Sequence, residues 1–388
     1  MRYVTAGESH GPALTAIVSE VPAGLPISIE QINADLKRRQ SGYGRGGRQK
    51  IESDQVVVQS GIRFGKTLGT PICLQVVNRD WAHWTRIMAQ FGDRPEGMRR
   101  EVWPRPGHAD LVGALKNNTD DCRDILERAS ARETAARVAA GGIAKDFLAA
   151  LGVDVRSYVV RIGSAAMDDD PSQATAYTTG QIETSEVRCP DPEASDCMKK
   201  MIDVAKVQGE SLGGVYRIVV TGLIPGLGDF DAGPHRLTSQ LAAAIFSIPA
   251  QKGLEFGLGF EATRRPGSQV HDPIIQSPET GFSRASNNAG GLEGGMTTGM
   301  PLILTVGMKP IPTLRTPLNT VNMDTMEVVK ASKERSDVCA VPAAAVVAEA
   351  EVAMVLANAY LQKFGCDNMD DIKANLRNYL DRIKTLSK

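Results

Sequence analysis

Histidine is scarce in this chain, five in 388 residues, and Phe, Trp and Tyr together supply only 5%. An excess of one charge is lacking too: 44 Lys and Arg stand against 45 Asp and Glu, for a net charge of −1. No global field therefore attracts nucleic acid or membrane, and anion binding must come from local clusters. The six cysteines (Cys73, Cys122, Cys189, Cys197, Cys339, Cys366) form no C-x-x-C pair and no zinc spacing. Such scattered thiols fit a reducing cytosol better than a secreted disulfide scaffold, and no metal site is read. A charge-free hydrophobic run is missing as well. The longest apolar stretch, 340–360, carries Glu349 and Glu351, which suits a buried or interface helix rather than a membrane span. Met1-Arg2-Tyr3 opens straight into a strand, so no signal peptide is read and a soluble, cytoplasmic protein is expected.

Glycine is plentiful, at 38 residues, and with few aromatics it suggests many loops where backbone approaches a ligand. An apolar fraction of 42% is ample for a core. The length allows one large domain or two ordinary ones; with no repeat and no clean linker, a single domain over 1–388 is expected. Strand patterns fall at 2–5, 55–59, 71–77, 153–162, 214–221 and 301–307. Helix patterns fall at about 28–39, opened by a Ser28/Gln31 capping box, and at 130–151, 236–247, 341–362 and 369–384. The polar stretch 164–197 reads as a surface excursion. Strands and helices do not alternate regularly, so the pattern predicts mixed α+β rather than a doubly wound sheet.

Several short segments carry chemistry. Gly7-Glu8-Ser9-His10-Gly11 holds a carboxylate, a hydroxyl and an imidazole in a glycine-bounded turn. Arg105-Pro106-Gly107-His108-Ala109-Asp110 places a second histidine in similar surroundings. Residues 37–50 hold six basic residues and no acid, with arginines set among glycines. Guanidinium forks meet carboxylate or phosphate in a bidentate way, so an anion site and a solvated loop both remain open here. Gly42, Gly44 and Gly47 satisfy G-x-G-x-x-G but follow a helix, so the dinucleotide fingerprint fails on context. Only Tyr43 in that segment offers stacking, which weakens a nucleic-acid reading. Gly61 to Thr67 is one residue short of a P-loop. Ser130 with Glu133 reads as a capping box, and an anion at that helix start would meet Arg128 and Arg132. Ser286 to Gly295 is too glycine-dense for a helix or central strand, and Lys309-Pro310-Ile311-Pro312-Thr313 is fixed as an extended loop by its prolines. Asp337 in Arg335-Ser336-Asp337 precedes the Ala-rich helix, as a cap would.

GESHG, RPGHAD, RASARETAARVAAG, SNNAGG-LEGG, KPIPT and RSD stand in this order along nearly the whole chain. Together they resemble the chorismate synthase family. The resemblance implies a β-α-β sandwich with helices between two antiparallel sheets, assembled as a homotetramer. It implies an FMNH2-dependent 1,4-anti elimination of phosphate from 5-enolpyruvylshikimate-3-phosphate, giving chorismate. By similarity His10, His108, Asp337, Ser9 and Ser130 are catalytic. Arg39, Arg45, Arg48, Arg105 and Arg132 are the substrate-binding candidates. FMN contacts carry over to Arg128, Ala129, Ser130, Pro249, Ala250, Gly294, Lys309, Pro310, Ile311, Pro312, Thr313 and Arg335. Many members have Ser at Ala129 and Asn at Pro249, so backbone must serve at those two positions. In some members the positions of Arg39 and Arg45 are assigned to a nicotinamide nucleotide, so NADPH is carried as a reductant alongside a separate flavin reductase. The alternatives are a flavin/NAD(P)H oxidoreductase using the same pocket and a nucleic-acid module using residues 37–50.

Overall fold

Two antiparallel sheets enclose a layer of helices in the computed structural model, which describes residues 1–46, 53–277, 281–334 and 336–385. The first sheet contains β1 (Arg2–Ala6), β2 (Ala13–Ser19), β3 (Val56–Ser60) and β4 (Ile72–Val77), in the order β1-β2-β4-β3. Val4 lies opposite Ile17, and Leu14 opposite Val76. In β2, Leu14, Ala16 and Val18 are buried while their neighbours are less so, because side chains alternate across a strand and one face meets the core. The second sheet contains β5 (Asp154–Ile162), β6 (Ala165–Ala166), β7 (Gly214–Thr221), β8 (Gln251–Phe256) and β9 (Leu302–Met308), in the order β8-β9-β7-β5-β6.

The helices are α1 (Ile29–Gln40), α2 (Asp110–Asn117), α3 (Arg123–Ala129), α4 (Thr134–Ala149), α5 (Thr179–Glu183), α6 (Pro192–Gln208), α7 (Leu237–Ser247), α8 (Val341–Phe364) and α9 (Met369–Thr385). Helix α4 lies on β2 and β4, α8 lies on β5 and β7, and the two helices pack on each other. Their approach depends on small residues: a Cβ on Gly141 would sit 2.3 Å from the Ala350 Cβ. Buried apolar side chains of both sheets and the helix layer form one contiguous cluster. Helix α8 is long and apolar enough to cross a membrane, but 89% of its most apolar window is buried within the fold. Its Glu349, fully buried, accepts hydrogen bonds from Arg38 at 2.8 and 2.9 Å, Lys145 at 2.9 Å, Arg188 at 3.2 Å and Ser157 at 2.6 Å. Burial penalises its charge, yet these cations hold Glu349 far below the usual carboxylate range.

The α+β sandwich is as the family resemblance implied, and the predicted strands and helices are all present within a few residues. Five expectations need correction. Asp337 does not cap α8, whose N-cap is Ala340 with no side-chain hydrogen bond; its carboxylate binds Arg45 and Gly46 N instead. The helix expected from 130 starts at Thr134, because Ser130 ends α3 and caps a short 3-10 turn, Ala131–Glu133. Ser130 Oγ accepts from Arg132 N at 3.4 Å, while Glu133 binds Arg137 at 2.7 Å instead of completing a capping box. At α1, Ser28 Oγ accepts from Gln31 N at 3.1 Å, but Ser28 N donates to Asp146 at 2.8 Å rather than to Gln31. The excursion at 164–197 contains α5, whose Ile182 is buried, and the start of α6, which Asp191 caps and whose Ala194 is buried ahead of Met198 and Ile202 further along the helix. Polar composition concealed an amphipathic helix there.

Candidate active site

The first turn of the chain is shaped by backbone contact. Gly7 has φ +112°, and a Cβ there would meet the Ala13 carbonyl oxygen at 2.4 Å, so only glycine fits. The turn presents Ser9 and His10, both buried. The His10 ring stacks on Trp84, with centroids 3.7 Å apart and planes 23° from parallel. Its Nδ1 lies 2.9 and 3.0 Å from the two carboxylate oxygens of Glu127 on α3. Burial opposes the Glu127 charge, but hydrogen bonds from His10, and the charge of Arg123 2.9 Å away, hold it below the usual carboxylate range. Ser130, just past the end of α3, donates from its Oγ to the Ser9 Oγ at 3.2 Å.

The second histidine is held similarly by the start of α2. His108 Nδ1 lies 2.5 Å from Asp110 Oδ1. Asp110 also receives Arg105 through its backbone N at 3.1 Å, Nε at 2.8 Å and Nη2 at 3.1 Å. Arg105 Nη2 approaches His108 Nδ1 at 3.2 Å, but a nitrogen donating its hydrogen to Asp110 cannot also accept one. The carboxylate contact is therefore the hydrogen bond. Despite burial, His108 and Arg105 keep Asp110 well below the usual carboxylate range.

Among the described residues, four arginines gather at the same cavity, each tied to a carboxylate. Arg132 places Nη1 2.6 Å from both oxygens of Asp54, and Arg39 Nη1 lies 3.4 Å from Asp54. Arg39 also donates to Thr134 Oγ1 and to the Ala131 carbonyl, each at 2.9 Å. Its burial, helped by nearby Arg132 and Arg45, pushes it down to about 10, still charged at neutral pH. Arg45 pairs with Asp337 at 2.9 Å, and the other Asp337 oxygen accepts Gly46 N at 2.6 Å. Arg105 donates onward to Thr313 Oγ1 at 3.0 Å.

The cavity encloses about 540 Å³. Ser9, His10, His108, Ser130 and Asp337 line it with Arg39, Arg45, Arg105 and Arg132. The expected flavin positions Ala129, Pro249, Ala250, Lys309, Ile311, Pro312 and Thr313 also line it. Ala250 takes a left-handed φ of +70°, costly for a residue with a Cβ, and its carbonyl accepts Lys309 N at 3.0 Å. Burial and nearby Lys252 hold the Lys309 ammonium below its ordinary value. Ala340, Ala343, Ala344 and Val347 of the α8 approach supply an apolar wall. Pro310 is outside the lining, as are Arg128 and Gly294. Arg128 reaches back to the Thr5 carbonyl at 2.9 Å, and Gly294 sits in the turn between Leu292–Glu293 and Met296–Thr298. Arg48 and Arg335 lie outside the described residues. Among the described residues no group of three or more His, Cys, Asp or Glu is placed to hold a metal ion.

The segment at 37–46 is not an outward basic patch. Arg38 is turned into the Glu349 network, Arg39 is buried, and Arg45 is paired across the cavity. Reading the sequence did not single out Glu127, Asp54 or Trp84. Glu127 is 117 positions from His10, and nothing local marks such a pairing. Asp110, two residues after His108, was the one partner within reach of a local pattern.

Comparison with known proteins agrees with this geometry. A family model described as "Chorismate synthase" matches residues 1–361. The chain is 53% identical over 383 residues to "Chorismate synthase 1" of Bacillus thuringiensis (strain Al Hakam), covering 98% of each chain. It is 54% identical over 378 residues to "Chorismate synthase" of Geobacillus thermodenitrificans (strain NG80-2), covering 97% of each. A solved structure titled "Crystal Structure of Chorismate Synthase" superposes with a TM-score of 0.80 at 43% identity, covering 99% of this chain and 98% of the other. With sequence, fold and family match all spanning nearly its full length, the chain belongs to the chorismate synthase family.

Proposed function

We propose that this cavity binds 5-enolpyruvylshikimate-3-phosphate beside reduced FMN and that the protein eliminates phosphate from it in a 1,4-anti sense to give chorismate, in the shikimate pathway to aromatic amino acids. One observation carries the reading. Two carboxylate-oriented histidines and four guanidiniums meet at one cavity in a chain of net charge −1. A substrate with two carboxylates and a phosphate needs such a cluster, and arginine forks suit both groups. A flavin/NAD(P)H oxidoreductase does not need it, and the relatives' names do not favour that alternative.

The residues fit a flavin nucleotide. The cavity volume lies within the roughly 300–1,000 Å³ of small-molecule sites, and one wall is apolar. The buried Arg45 Nε has no hydrogen-bond partner among the described residues, leaving a donor for an anion. When bound, reduced FMN would supply transient electron density to the substrate as phosphate departs. Ala129, Ser130, Pro249, Ala250 and Lys309 to Thr313 would hold it, with Arg128, Gly294 and Arg335 assigned by similarity alone. His10 would compensate or protonate the departing phosphate, and His108 would supply the acid-base group beside the flavin ring. Ser9 and Ser130 relay protons between them. Asp337 would stand near flavin N5, the position expected to take the C6 proton of the substrate, while Arg39, Arg45, Arg48, Arg105 and Arg132 would hold its anionic groups. The finer reading adds a cytoplasmic homotetramer, a single domain over 1–388, NADPH as a reductant at Arg39 and Arg45, and a separate flavin reductase as partner.

The test is anaerobic chorismate formation from 5-enolpyruvylshikimate-3-phosphate with chemically reduced FMN, beside oxidised FMN and beside NADPH plus FMN. Product with reduced FMN alone supports the lyase, and product in the NADPH lane adds an intrinsic reductase activity. No product in any lane, from folded protein that binds FMN, overturns the reading.

A further inference from the structure

The two histidines are not wired alike, and the difference assigns work to residues outside the family motifs. Asp110, the partner of His108, is shared with Arg105. Glu127, the partner of His10, instead gathers the whole first turn. Its carboxylate faces His10 Nδ1 with both oxygens, at 2.9 and 3.0 Å, and accepts the His10 backbone N–H at 2.8 Å. Its own backbone carbonyl accepts Ser9 N at 2.9 Å. A single residue of α3 thus fixes both Ser9 and His10, and three positions further on the same segment supplies Ser130, whose hydroxyl meets Ser9 at 3.2 Å.

The ring plane is set from the other side. Trp84 stacks at 3.7 Å, and its Nε1 donates to the buried Asp80 at 3.3 Å, so the indole is itself tethered. Arg123 lies over the same indole at 5.4 Å while donating to Glu127 at 2.9 Å, which joins the two supports. A carboxylate accepts hydrogen bonds and does not donate them, so both of its oxygens at Nδ1 require the hydrogen on Nδ1. The transferable proton of His10 is then carried at Nε2.

We propose that Glu127 and Trp84 are positioning residues for His10, the carboxylate setting its tautomer and the indole its ring plane, so that Nε2 is the atom that serves the leaving phosphate. The direction of proton delivery rests on the function proposed above; the tautomer does not.

The experiment therefore has two arms. Ligand-free protein carrying nitrogen-15 histidine is measured above the usual imidazole titration range, with His10 assigned by the signal lost in His10→Asn. Wild-type protein is expected to show the hydrogen on Nδ1 of His10, and Glu127→Gln to move a measurable share of it to Nε2, since an amide can donate to Nδ1. In the turnover arm, Glu127→Gln is expected to lower kcat on the order of 10²-fold with KM within twofold. Trp84→Ala is expected to lower kcat likewise, and Trp84→Phe, which keeps a stacking ring, to restore most of it. Nε2-bound hydrogen in the wild type overturns the proposal without any variant having to fold. So does Glu127→Gln with wild-type kcat and an unchanged His10 spectrum. Absence of chorismate from wild-type protein would refute the function, while the His10 spectrum would still decide the tautomer on its own.

Discussion

Asp54 offers the sharpest test of how the arginine cluster is held. Its side chain is fully buried between Arg132, 2.6 Å from both oxygens, and Arg39, 3.4 Å away. Asp54→Asn keeps the shape and removes the charge, leaving two buried guanidiniums without their shared counter-ion. Breaking a buried ion pair from one side costs about 3–5 kcal/mol. An unfolding entropy of about 2.1 cal/mol/K per residue over 388 residues gives about 0.8 kcal/mol/K. A chain unfolding as a single unit should then lose roughly 4–6 °C in Tm. Anionic ligand should restore more of this loss than it adds to the wild type, because an anion binding the folded protein stabilises by RT ln(1 + [L]/Kd), and the unmatched arginines favour it. Differential scanning calorimetry with and without 5-enolpyruvylshikimate-3-phosphate reads both effects. A ligand-free Tm within one degree of wild type would refute the view that Asp54 neutralises the cluster. A smaller ligand-induced shift in the variant would refute the view that it competes with the ligand.

His108→Ala and Asp337→Ala should each cut chorismate turnover sharply in protein that still folds, and wild-type turnover in either folded variant would remove that residue from the reaction. Glu349→Gln leaves Arg38, Lys145 and Arg188 short of one negative charge at a fully buried position; it should lower Tm by several degrees with KM unchanged, as read by calorimetry and steady-state kinetics. Asp110 and Glu127 have carboxyls held below their ordinary values, so their contribution to stability is complete only well above the unfolded values of about 4 and is lost as pH falls through those and then the lowered folded values. Tm measured from pH 7 downward should therefore fall more gently on the acid side in Asp110→Asn than in wild type; parallel slopes would show that Asp110 carries no such linkage.

The secondary structure was legible where one physical signal dominated. The strand at 153–162, the Ser28 cap and the Ala-rich helix all follow from local pattern, and the structure keeps them. What escaped was set by distant contacts. The helix expected at Ser130 is delayed to Thr134 because Ser130 instead caps a tight turn and its hydroxyl meets Ser9. Helix α6 was obscured because its polar face outnumbers Met198 and Ile202. At the site, residues bearing obvious chemistry were visible in the motifs, whereas the carboxylates that orient them were not. Glu127 and Asp54 are joined to His10 and Arg132 across 117 and 78 positions, and one sequence carries no local trace of such pairs.

The same carboxylates explain how a multiply charged ligand can enter a site already full of ion pairs. Among the described residues, Arg39, Arg45, Arg105 and Arg132 share the carboxylates of Asp54, Asp110 and Asp337. Those pairs differ in access. The Asp54 side chain is 0% exposed and that of Asp110 2%, so displacing either would strand buried charge. Asp337, at 17%, is the accessible partner, and it faces Arg45, whose Nε lacks a hydrogen-bond acceptor among the described residues. An incoming anion can thus exchange with Asp337 at Arg45 while Asp54 and Asp110 keep the remaining arginines in place.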